Sequence, residues 1–291
     1  MKQGDFHGYP THILENDHLR LECLANAGPR VVRLIPAWLG ENIFAEVPDF
    51  ITNTELGPFR FLGGHRLWHA PESISRTYFP DHHGLEIQEL PDGLQLRGQI
   101  EATTRIRKTM TIQLSSKRAQ VILKHVLENL GPWPVTLAPW AITMMKLGGA
   151  AFLPQERGSA DAAGLGPNRH IAMWPYARWD DPRLHLGGSL IIIKADISSQ
   201  AFKIGYFNSR GWLGYALDNA FFVKRFASKG DAQYPDFGCN SEVYCNDRFL
   251  ELESLGPLTE IVPGQKVTHT ETWEVHREMP QEFKGSERRN L

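Results

Sequence analysis

The sequence contains little cysteine, no long apolar run and hardly any helical periodicity. Its three thiols, Cys23, Cys239 and Cys245, show no Cys-x-x-Cys spacing, and an odd number cannot all pair within one chain. Reduced thiols, and therefore a cytoplasmic location, are expected, although a disulfide between Cys239 and Cys245 stays open. The strongest apolar stretch, 190–193, suits a buried strand but is far too short to cross a bilayer, and the polar residues 1–9 carry no signal core.

A strong charge of either sign is also absent. The chain has 31 Lys and Arg residues against 33 Asp and Glu residues, a net charge of -2, and the two signs are interspersed. No basic stripe is present that could release counterions from a nucleic acid. Nucleic acids and membranes are therefore not expected as partners.

What the sequence does contain is a series of short segments in which polar and apolar residues alternate with period two. One example is 119–127, where His125 falls in step with the apolar residues of one face. Such alternation predicts strands, and turn signals such as Pro-Asp-Gly at 91–93 separate them. A dozen or more such strands, with 26 Gly and 19 Pro, predict an all-β protein built as a large antiparallel β-sandwich.

No change of composition divides the chain into two units. We expect a single domain over residues 10–276, followed by a charged C-terminal tail over residues 277–291. The least regular stretch, 148–188, is rich in Gly, Ala, Pro and Trp and is long for a loop in a compact domain. It is therefore predicted to be functional or to cover a cleft.

The most informative segment is a hairpin over residues 240–253. Its two residues Asn246-Asp247 suit a two-residue turn, because both tolerate positive φ. Directly opposed residues of a hairpin share a sheet face. The register set by this turn pairs Val243 with Leu250, Glu242 with Glu251, and Asn240 with Glu253.

This register divides the hairpin into a core face and a polar face. The core face is predicted to hold Val243, Cys245, Leu250 and Leu252, and the polar face Asn240, Glu242, Tyr244, Phe249, Glu251 and Glu253. Opposed carboxylates repel, so Glu242 against Glu251 needs a shared proton, a neighbouring Arg or His, a cation or plain solvent. A shared proton would raise one pKa, which makes a carboxylate a useful acid or base. Aromatic rings beside the acids favour a sugar site, and a solvated outer face of an ordinary sheet is the alternative.

A second dense cluster lies at 62–72, which reads Leu-Gly-Gly-His-Arg-Leu-Trp-His-Ala-Pro-Glu. The proline excludes a continuing helix and the glycines let the backbone approach a ligand, so the cluster is predicted on a strand end or loop. Either His65 or His69 can donate a proton to a sugar ring oxygen, and Arg66 can hold a carboxylate or phosphate. Two other interpretations stay open: a metal site formed by His65, His69 and Glu72, and histidines that are simply hydrogen-bonded under a loop.

Weaker signals come from isolated aromatic and basic residues. In the irregular stretch, Trp174 and Tyr176 can stack on a sugar or merely pack, and Lys203 on a later strand can reach the cleft or be solvated. No Gly-rich phosphate loop, nucleophile elbow or reactive cysteine setting is found. No metal or other cofactor is therefore expected.

Together, the hairpin and the histidine segment resemble the aldose 1-epimerase (galactose mutarotase) superfamily. The resemblance implies a β-supersandwich that binds a sugar on its concave sheet. The base of that family is a Glu in a strand of the form Leu-Glu-Thr-Gln, to which Leu-Glu-Leu-Glu at 250–253 is similar, so that the match implies Glu251 as the base. Residues 63–65, Gly-Gly-His, are similar to an early motif of the family. The wider pattern, carried by residues 64–72, 251–257, 263–264 and 271–274, looks still closer to an uncharacterised DUF4380-type mutarotase-like branch.

The sequence departs from this family at one point. Mutarotases carry a second His, usually the general acid, in a His-Pro-Tyr-Phe-like segment, and the corresponding residues 138–141 read Ala-Pro-Trp-Ala. The usual proton donor to the ring oxygen is thus missing unless His65 or His69 has that role.

We therefore expect a carbohydrate-active protein, first of all an aldose 1-epimerase-like isomerase with Glu251, His65 and His69 as catalytic residues. The residues predicted to bind substrate are Arg66, Trp68, Glu72, Lys203, Asn240, Glu242, Tyr244 and Glu253. A carbohydrate-binding protein without chemistry is one alternative, and a glycoside-cleaving enzyme that uses Glu242 and Glu251 is another. The expected partner is a small-molecule carbohydrate, and the chain is expected to be a monomer or homodimer.

Overall fold

The computed structural model describes residues 2–159, 161–197 and 200–284, and nearly all of their regular structure is strand, which confirms the all-β prediction. Among these residues one helical segment is found, α1 (Pro235–Gly238), which is a left-handed turn with φ of 51° at Asp236 and 61° at Phe237. The strands are β1 (Lys2–Phe6), β2 (Tyr9–Glu15), β3 (Leu19–Leu24), β4 (Arg30–Pro36), β5 (Glu46–Thr54), β6 (Gly57–Gly63), β7 (His65–Ala70), β8 (Glu86–Leu90), β9 (Gly93–Ile100), β10 (Ile106–Leu114), β11 (Gln120–Asn129), β12 (Val135–Met145), β13 (Ala150–Pro154), β14 (Ala172–Met173), β15 (Leu184–Leu186), β16 (Leu190–Lys194), β17 (Phe202–Tyr206), β18 (Trp212–Leu217), β19 (Ala220–Phe226), β20 (Ser241–Cys245), β21 (Leu250–Leu255), β22 (Thr259–Ile261) and β23 (Lys266–His276).

Two large antiparallel sheets form the sandwich. The first, here called the site sheet, has the order β1-β2-β3-β4-β7-β12-β21-β20-β17-β14, with β22 also paired to β12. The second, the back sheet, has the order β15-β16-β13-β18-β19-β23-β11-β10-β9-β8. A separate two-stranded hairpin consists of β5 and β6. The strands at the centre of the site sheet come from distant parts of the chain, so the sheet brings together segments that are far apart in sequence.

The core lies between the two sheets because alternate side chains of each strand point to opposite faces. On β21, Leu250 and Leu252 are buried in the main apolar cluster, which they share with Phe222 and Trp273 of the back sheet. The residues between them on β21 therefore project from the outer face of the site sheet. This outer face is where the candidate site lies.

The β5–β6 hairpin packs against that outer face. Its Phe59 ring lies 5.3 Å from the ring of Trp68 on β7, and its Phe61 ring lies 6.0 Å from the same indole. A second apolar cluster, separate from the main core, includes these residues and Trp140 of β12. The hairpin therefore forms an aromatic wall beside strands β7, β12 and β21.

The fold extends past both ends of the predicted domain. Strand β1 precedes residue 10, pairs with β2 and buries Phe6 completely. Near the other end Phe283, inside the predicted tail, is 2% exposed and its ring lies 4.7 Å from that of Trp212. The remainder of the predicted tail, residues 285–291, lies outside the described residues.

Two expectations from composition can be compared with the structure. Cys23, Cys239 and Cys245 are all buried free thiols, so the disulfide that was left open between the last two is not formed. Over the described parts of the chain, no helix is long and apolar enough to cross a membrane.

Candidate active site

The β20–β21 hairpin has a register that differs from the predicted one by two residues. Glu242 pairs with Glu253, and Tyr244 pairs with Glu251. The prediction that Glu242 faces Glu251 was therefore wrong. A shift of two keeps each strand residue on its predicted face, since side chains alternate with period two.

The turn itself explains the shift. The Asn246 side-chain oxygen accepts hydrogen bonds from the backbone N–H groups of Arg248 (2.8 Å) and Phe249 (3.1 Å). This Asx-type turn places Asp247 and Arg248 at its centre, one residue later than predicted. The carboxylates that oppose each other are consequently Glu242 and Glu253.

A cavity of about 340 Å³ opens on the outer face of the site sheet. This volume is at the small end of the range for small-molecule sites, about 300–1,000 Å³. Nine aromatic and four charged residues are among those that line it: Phe50, Thr52, Phe61, Arg66, Trp68, Glu72, Tyr78, Trp140, Trp174, Tyr176, Ala201, Lys203, Tyr244, Phe249 and Glu251.

The charged centre of this cavity is an ion pair between Arg66 and Glu251. Arg66 Nη2 donates to Glu251 Oε1 at 2.8 Å, and the guanidinium carbon lies 4.2 Å from the ring centroid of Trp68. Burial raises the pKa of the Glu251 carboxyl above its ordinary value, and the Arg66 charge opposes that shift. Glu251 is thus a carboxylate whose affinity for a proton is increased, as a general base requires.

A second charged group lies beside this pair. The Lys203 ammonium lies 2.7 Å from Glu242 Oε2 and donates to Glu253 Oε2 at 2.9 Å. Burial raises the pKa of Glu242 well above its ordinary value, and the pKa of Lys203 is also raised, because the two carboxyls outweigh its own burial. Lys203 is therefore the cation that offsets the repulsion between the opposed carboxyls.

An aromatic belt surrounds these charges. It consists of Tyr176, Tyr244, Phe249, Phe50, Phe61, Trp68, Trp140 and Trp174. From Tyr176 to Trp140, successive ring centroids lie 4.7 to 6.4 Å apart. The Lys203 ammonium closes the belt, since it lies 4.8 Å from the Trp140 ring and 4.5 Å from the Trp174 ring. Aromatic faces around a few fixed polar groups suit a ligand that has both apolar C–H patches and hydroxyls.

The structure brings six of the predicted site residues together around the cavity: Arg66, Trp68, Glu72, Lys203, Tyr244 and Glu251. Two more, Glu242 and Glu253, are fully buried and contact the cavity through Lys203. Asn240 is separate from them. Its side chain binds the backbone of Asn208 and the Ser228 hydroxyl, which fixes a loop instead of facing the cavity.

The two predicted catalytic histidines are also outside the cavity. The segment that was predicted as a strand end or loop is strand β7, and alternation along it points Arg66 and Trp68 outward but His65 and His69 inward. His69 Nε2 binds Glu101 at 3.0 Å, and burial lowers the pKa of His69. Over the described part of the chain, no histidine lines the cavity with Glu251, whereas Glu72 does line it, on the face opposite to both rings.

His65 belongs to a buried polar network between the sheets, here called the interior cluster: His65, His125, Thr143, Lys224, Ser254, His269 and Glu271. His65 Nε2 lies 2.8 Å from His125 Nε2, and His125 Nδ1 donates to the His269 backbone oxygen at 3.1 Å. Glu271 forms an ion pair with Lys224 at 2.7 Å and accepts from the Trp273 indole at 2.8 Å. Sequence alternation did place His125 on the inward face of its strand, but nothing in one sequence indicated these long-range contacts.

Metal binding was left open for His65, His69 and Glu72, and the inward histidines cannot reach Glu72. A different set, His65, His125 and Glu271, has ligand atoms within 4.8 Å of one another. In this set the two imidazole rings are hydrogen-bonded to each other, and the Glu271 carboxylate binds the Lys224 ammonium. The atoms that could ligate a metal therefore already have partners. The residues present fit a hydrogen-bonded network better than a metal site.

Several cavity residues were missed from the sequence. Phe50 and Phe61 come from the β5–β6 hairpin, and Tyr78 comes from the loop after β7. Trp140 lies within the segment where the family pattern has its second histidine. The signal that could have found Phe50, Phe61 and Tyr78 is the density of aromatics in 50–78, but their convergence depends on the packing of the hairpin over the sheet.

No protein-family model matches the chain, and no curated protein matches it. Solved structures do resemble it. A galactose mutarotase-like protein from Lactobacillus casei superposes with a TM-score of 0.60 at 11% identity, with 91% of this chain and 100% of that one covered. A galactose mutarotase related enzyme from Lactobacillus acidophilus gives a TM-score of 0.55 at 9% identity, covering 91% and 97%.

A further match, a TPR-domain containing protein from Parabacteroides distasonis, has a TM-score of 0.63 at 15% identity. The alignment covers 97% of this chain but 49% of that protein, so this chain spans about half of its length. At such identities the similarity concerns the fold. The chain therefore has the galactose mutarotase-like fold, a large antiparallel β-sandwich.

Proposed function

We propose that this protein is a carbohydrate-active enzyme of the aldose 1-epimerase type, which interconverts the anomers of a small sugar. The observation that carries the proposal is Glu251. It is a buried carboxylate of raised pKa, bound to Arg66, at an aromatic-lined cavity and on the strand position that resembles the family's base. We propose further that the chain belongs to the superfamily itself, in the DUF4380-type branch.

In the proposed reaction, the sugar first binds with its anomeric hydroxyl hydrogen-bonded to Glu251. The carboxylate takes the hydroxyl proton while the bond between the anomeric carbon and the ring oxygen breaks, and the ring oxygen takes a proton in turn. Rotation of the open-chain aldehyde and reclosure on its other face give the second anomer. Each positioned proton transfer contributes about 10²- to 10⁴-fold to the rate.

The surrounding residues support binding of a sugar. The belt rings can stack on apolar C–H faces, while Lys203, Tyr244 and Glu72 offer polar atoms at separate points of the wall. Arg66 orients Glu251 by its hydrogen bond, and its guanidinium carbon lies 4.2 Å from the centroid of the Trp68 ring. A small-molecule carbohydrate is accordingly the proposed partner, for a cytoplasmic monomer or homodimer.

One observation favours a second candidate, a carbohydrate-binding protein without chemistry. Both histidines that could have been the proton donor face the sandwich interior, away from Glu251. A glycoside-cleaving pair of Glu242 and Glu251 gains no such support, because Glu242 is fully buried and is held against Lys203.

The experiment is proton NMR of freshly dissolved α-anomers of a sugar panel, including acidic and phosphorylated sugars, with and without protein. Accelerated equilibration by the wild type, lost in Glu251→Gln but kept in the matched surface variant Glu89→Gln, is the expected result. Unchanged turnover in a folded Glu251→Gln protein would remove the assignment of the base. Line broadening without acceleration for any sugar would support the binding protein instead.

A further inference from the structure

The charged groups at the cavity carry more negative than positive charge. Among the described residues, two basic and four acidic side chains line the cavity or contact it through Lys203: Arg66, Lys203, Glu72, Glu242, Glu251 and Glu253. Even with Glu242 in the uncharged form that burial favours, three carboxylates stand against two cations. A cleft with an excess of one sign attracts ligands of the opposite sign. A ligand with a positive charge therefore fits the cavity better than a ligand with a negative charge.

Both cations of the cavity are already paired with carboxyls. The Lys203 ammonium lies between two of them, at 2.7 and 2.9 Å. Arg66 Nη2 donates to Glu251 at 2.8 Å. Two further Arg66 nitrogens, Nε and Nη1, have no hydrogen-bond partner among the described residues, but an anion bound there would share the guanidinium with the ionised Glu251 base and be repelled by it. Arg248, whose guanidinium lies over a ring of the belt, is itself paired with Asp49 at 2.6 Å. The carboxylate of a uronate, or the phosphate of a sugar phosphate, is therefore poorly accommodated.

Glu72 differs from the other acids of the cavity. Among the described residues, it is the lining carboxylate that has no basic partner. Its Oε1 accepts the Tyr78 hydroxyl at 2.5 Å, which supplies a hydrogen bond but no compensating charge. Its side chain is exposed and also lines the cavity, so it lies at the mouth. Its second oxygen, Oε2, can accept a hydrogen bond from a bound ligand.

Part of the aromatic lining is likewise without a cation. Over the described part of the chain, five of the nine cavity rings have a cation on their face, supplied by Arg66, Lys203 or Arg248. The other four rings are those of Tyr78, Tyr176, Tyr244 and Phe249. The last three are consecutive in the belt, with ring centroids 6.4 and 6.0 Å apart. An aromatic face attracts an ammonium group within about 6 Å of its centroid. These rings and Glu72 are therefore the groups of the cavity that can still bind a cation.

We propose that the sugar preferred by this cavity is an amino sugar, a monosaccharide with a protonated amino group, and that Glu72 selects it. This inference rests on the proposed function, because it specifies the sugar that binds beside Glu251. The sugar ring stacks on the belt, and its ammonium donates a hydrogen bond to Glu72 Oε2 and lies against a neighbouring aromatic ring. The cavity volume of about 340 Å³, small for a ligand site, suits a monosaccharide.

The test is calorimetric titration of the full-length chain with matched sugars. Glucose, galactose and mannose are each compared with their 2-amino and 6-amino derivatives and with their uronates, at a pH below the pKa of the sugar ammonium. We expect an amino sugar to bind about 10-fold more tightly than its parent hexose, because an ammonium makes a charge-assisted hydrogen bond where a hydroxyl makes a neutral one. The uronate should bind more weakly than the parent. The preference for the amino sugar should disappear above the pKa of its ammonium, since the free amine has no charge.

A single substitution tests the role of Glu72. Glu72→Gln keeps the shape of the side chain and an oxygen that can accept from Tyr78, but it removes the charge. We expect the affinity for the amino sugar relative to its parent hexose to fall from about 10-fold to about 2-fold or less. The matched control is Glu89→Gln, an exposed acid outside the cavity, which should keep the wild-type ratio.

The outcomes separate this inference from the proposed function. Equal affinity for amino and parent sugars, tighter binding of a uronate, or a ratio that Glu72→Gln leaves unchanged would overturn the inference, and the epimerase stands if a parent hexose still equilibrates faster with protein. If an amino sugar binds through Glu72 but its anomers equilibrate no faster, the inference holds and the epimerase falls. If no sugar binds, both proposals fall. Should Glu72→Gln not fold, the loss of preference at high pH decides.

Discussion

Two polar clusters lie on opposite faces of the same strands, and they differ in how completely their hydrogen bonds are made. The interior cluster around Lys224 and Glu271 pairs its donors and acceptors with one another and with backbone oxygens. The floor cluster, Arg66, Lys203, Glu242, Glu251 and Glu253, leaves several atoms without a hydrogen-bond partner among the described residues: Arg66 Nε, Arg66 Nη1, Glu242 Oε1 and Glu253 Oε1. A complete network stabilises a core, whereas polar atoms without a protein partner beside a cavity are available to bind water or a ligand.

The interior cluster shows how that completeness is reached. The Lys224 ammonium binds Glu271 at 2.7 Å, and it also donates to the backbone oxygens of Ala141 (3.0 Å) and Leu252 (3.1 Å) on strands of the site sheet. The side chain thus crosses from the back sheet to the site sheet. The cluster joins the two sheets directly beneath the strand that carries Glu251.

The largest expected effect is a difference in the free energy of unfolding between a variant of the interior cluster and a variant of the floor cluster. Lys224→Met removes the cation from the buried Glu271 carboxylate and leaves two backbone oxygens without their donor, and we expect a loss of about 3–5 kcal/mol in the free energy of unfolding, measured with urea. Lys203→Met is the matched control and should cost less, because Lys203 binds two carboxyls beside the cavity and holds no backbone oxygen, burial favours the uncharged form of Glu242, and Glu253 keeps the Trp140 indole as a donor at 2.8 Å. An equal loss in both variants would contradict the comparison.

Acid should affect the two clusters with opposite signs. Burial lowers the pKa of His125 to about 4 and that of His269 to about 3, so both bind protons less readily folded than unfolded. Their contribution to stability is present above pH 6.5 and is lost as the pH falls toward 4. Burial raises the pKa of Glu242 and Glu251, so these carboxyls favour the folded state in the same acidic range.

We expect the histidines to dominate, with a loss on the order of 2 kcal/mol from His125 alone between pH 7 and 4.5. The measurement is the urea midpoint at the two pH values. His125→Gln should flatten the pH dependence, and Glu242→Gln should steepen it, because that variant removes an opposing group. A wild-type midpoint that does not change between pH 7 and 4.5 would refute this assignment of signs.

The smallest expected effect concerns the belt. Trp174→Ala removes one ring beside Lys203, and we expect sugar binding to weaken by about 2- to 13-fold, from a stacking contribution of about 0.5–1.5 kcal/mol. Calorimetric titration with the sugar identified by NMR measures it. Trp133→Ala is the control, since Trp133 is 75% exposed and lies outside the cavity, and an equal weakening there would show that the effect is not local.

The hairpin shows how far local pattern can predict a site. Alternation over 241–255 was enough to place Glu242, Tyr244, Glu251 and Glu253 on one face and the apolar residues on the other. Alternation was not enough to choose between two turns whose centres differ by one residue, because both turns leave every strand residue on the same face of the sheet. The hydrogen bonds of the Asn246 side chain select the observed turn, and they give Glu253 rather than Glu251 as the neighbour of Glu242.

The histidine segment shows the opposite case, in which sequence density misled. His65, Arg66, Trp68 and His69 are adjacent in the chain and were predicted to act together. A strand separates adjacent residues onto two faces, so two of them line the cavity and two enter the interior. Had 65–70 been predicted as a buried strand, alternation alone would have divided them, although it would not have told which pair faces outward.

The sequence by itself determined the all-β class, the strand faces and the acidic stretch that carries Glu251, because these depend on local alternation and turn chemistry. The tertiary structure alone decided what surrounds that residue. Tyr78, Trp140 and Trp174 reach the cavity from segments far apart in the chain, and Lys203 reaches Glu242 and Glu253 across strand pairs. Such contacts arise from the burial of apolar surface over the whole sandwich, which no local pattern encodes.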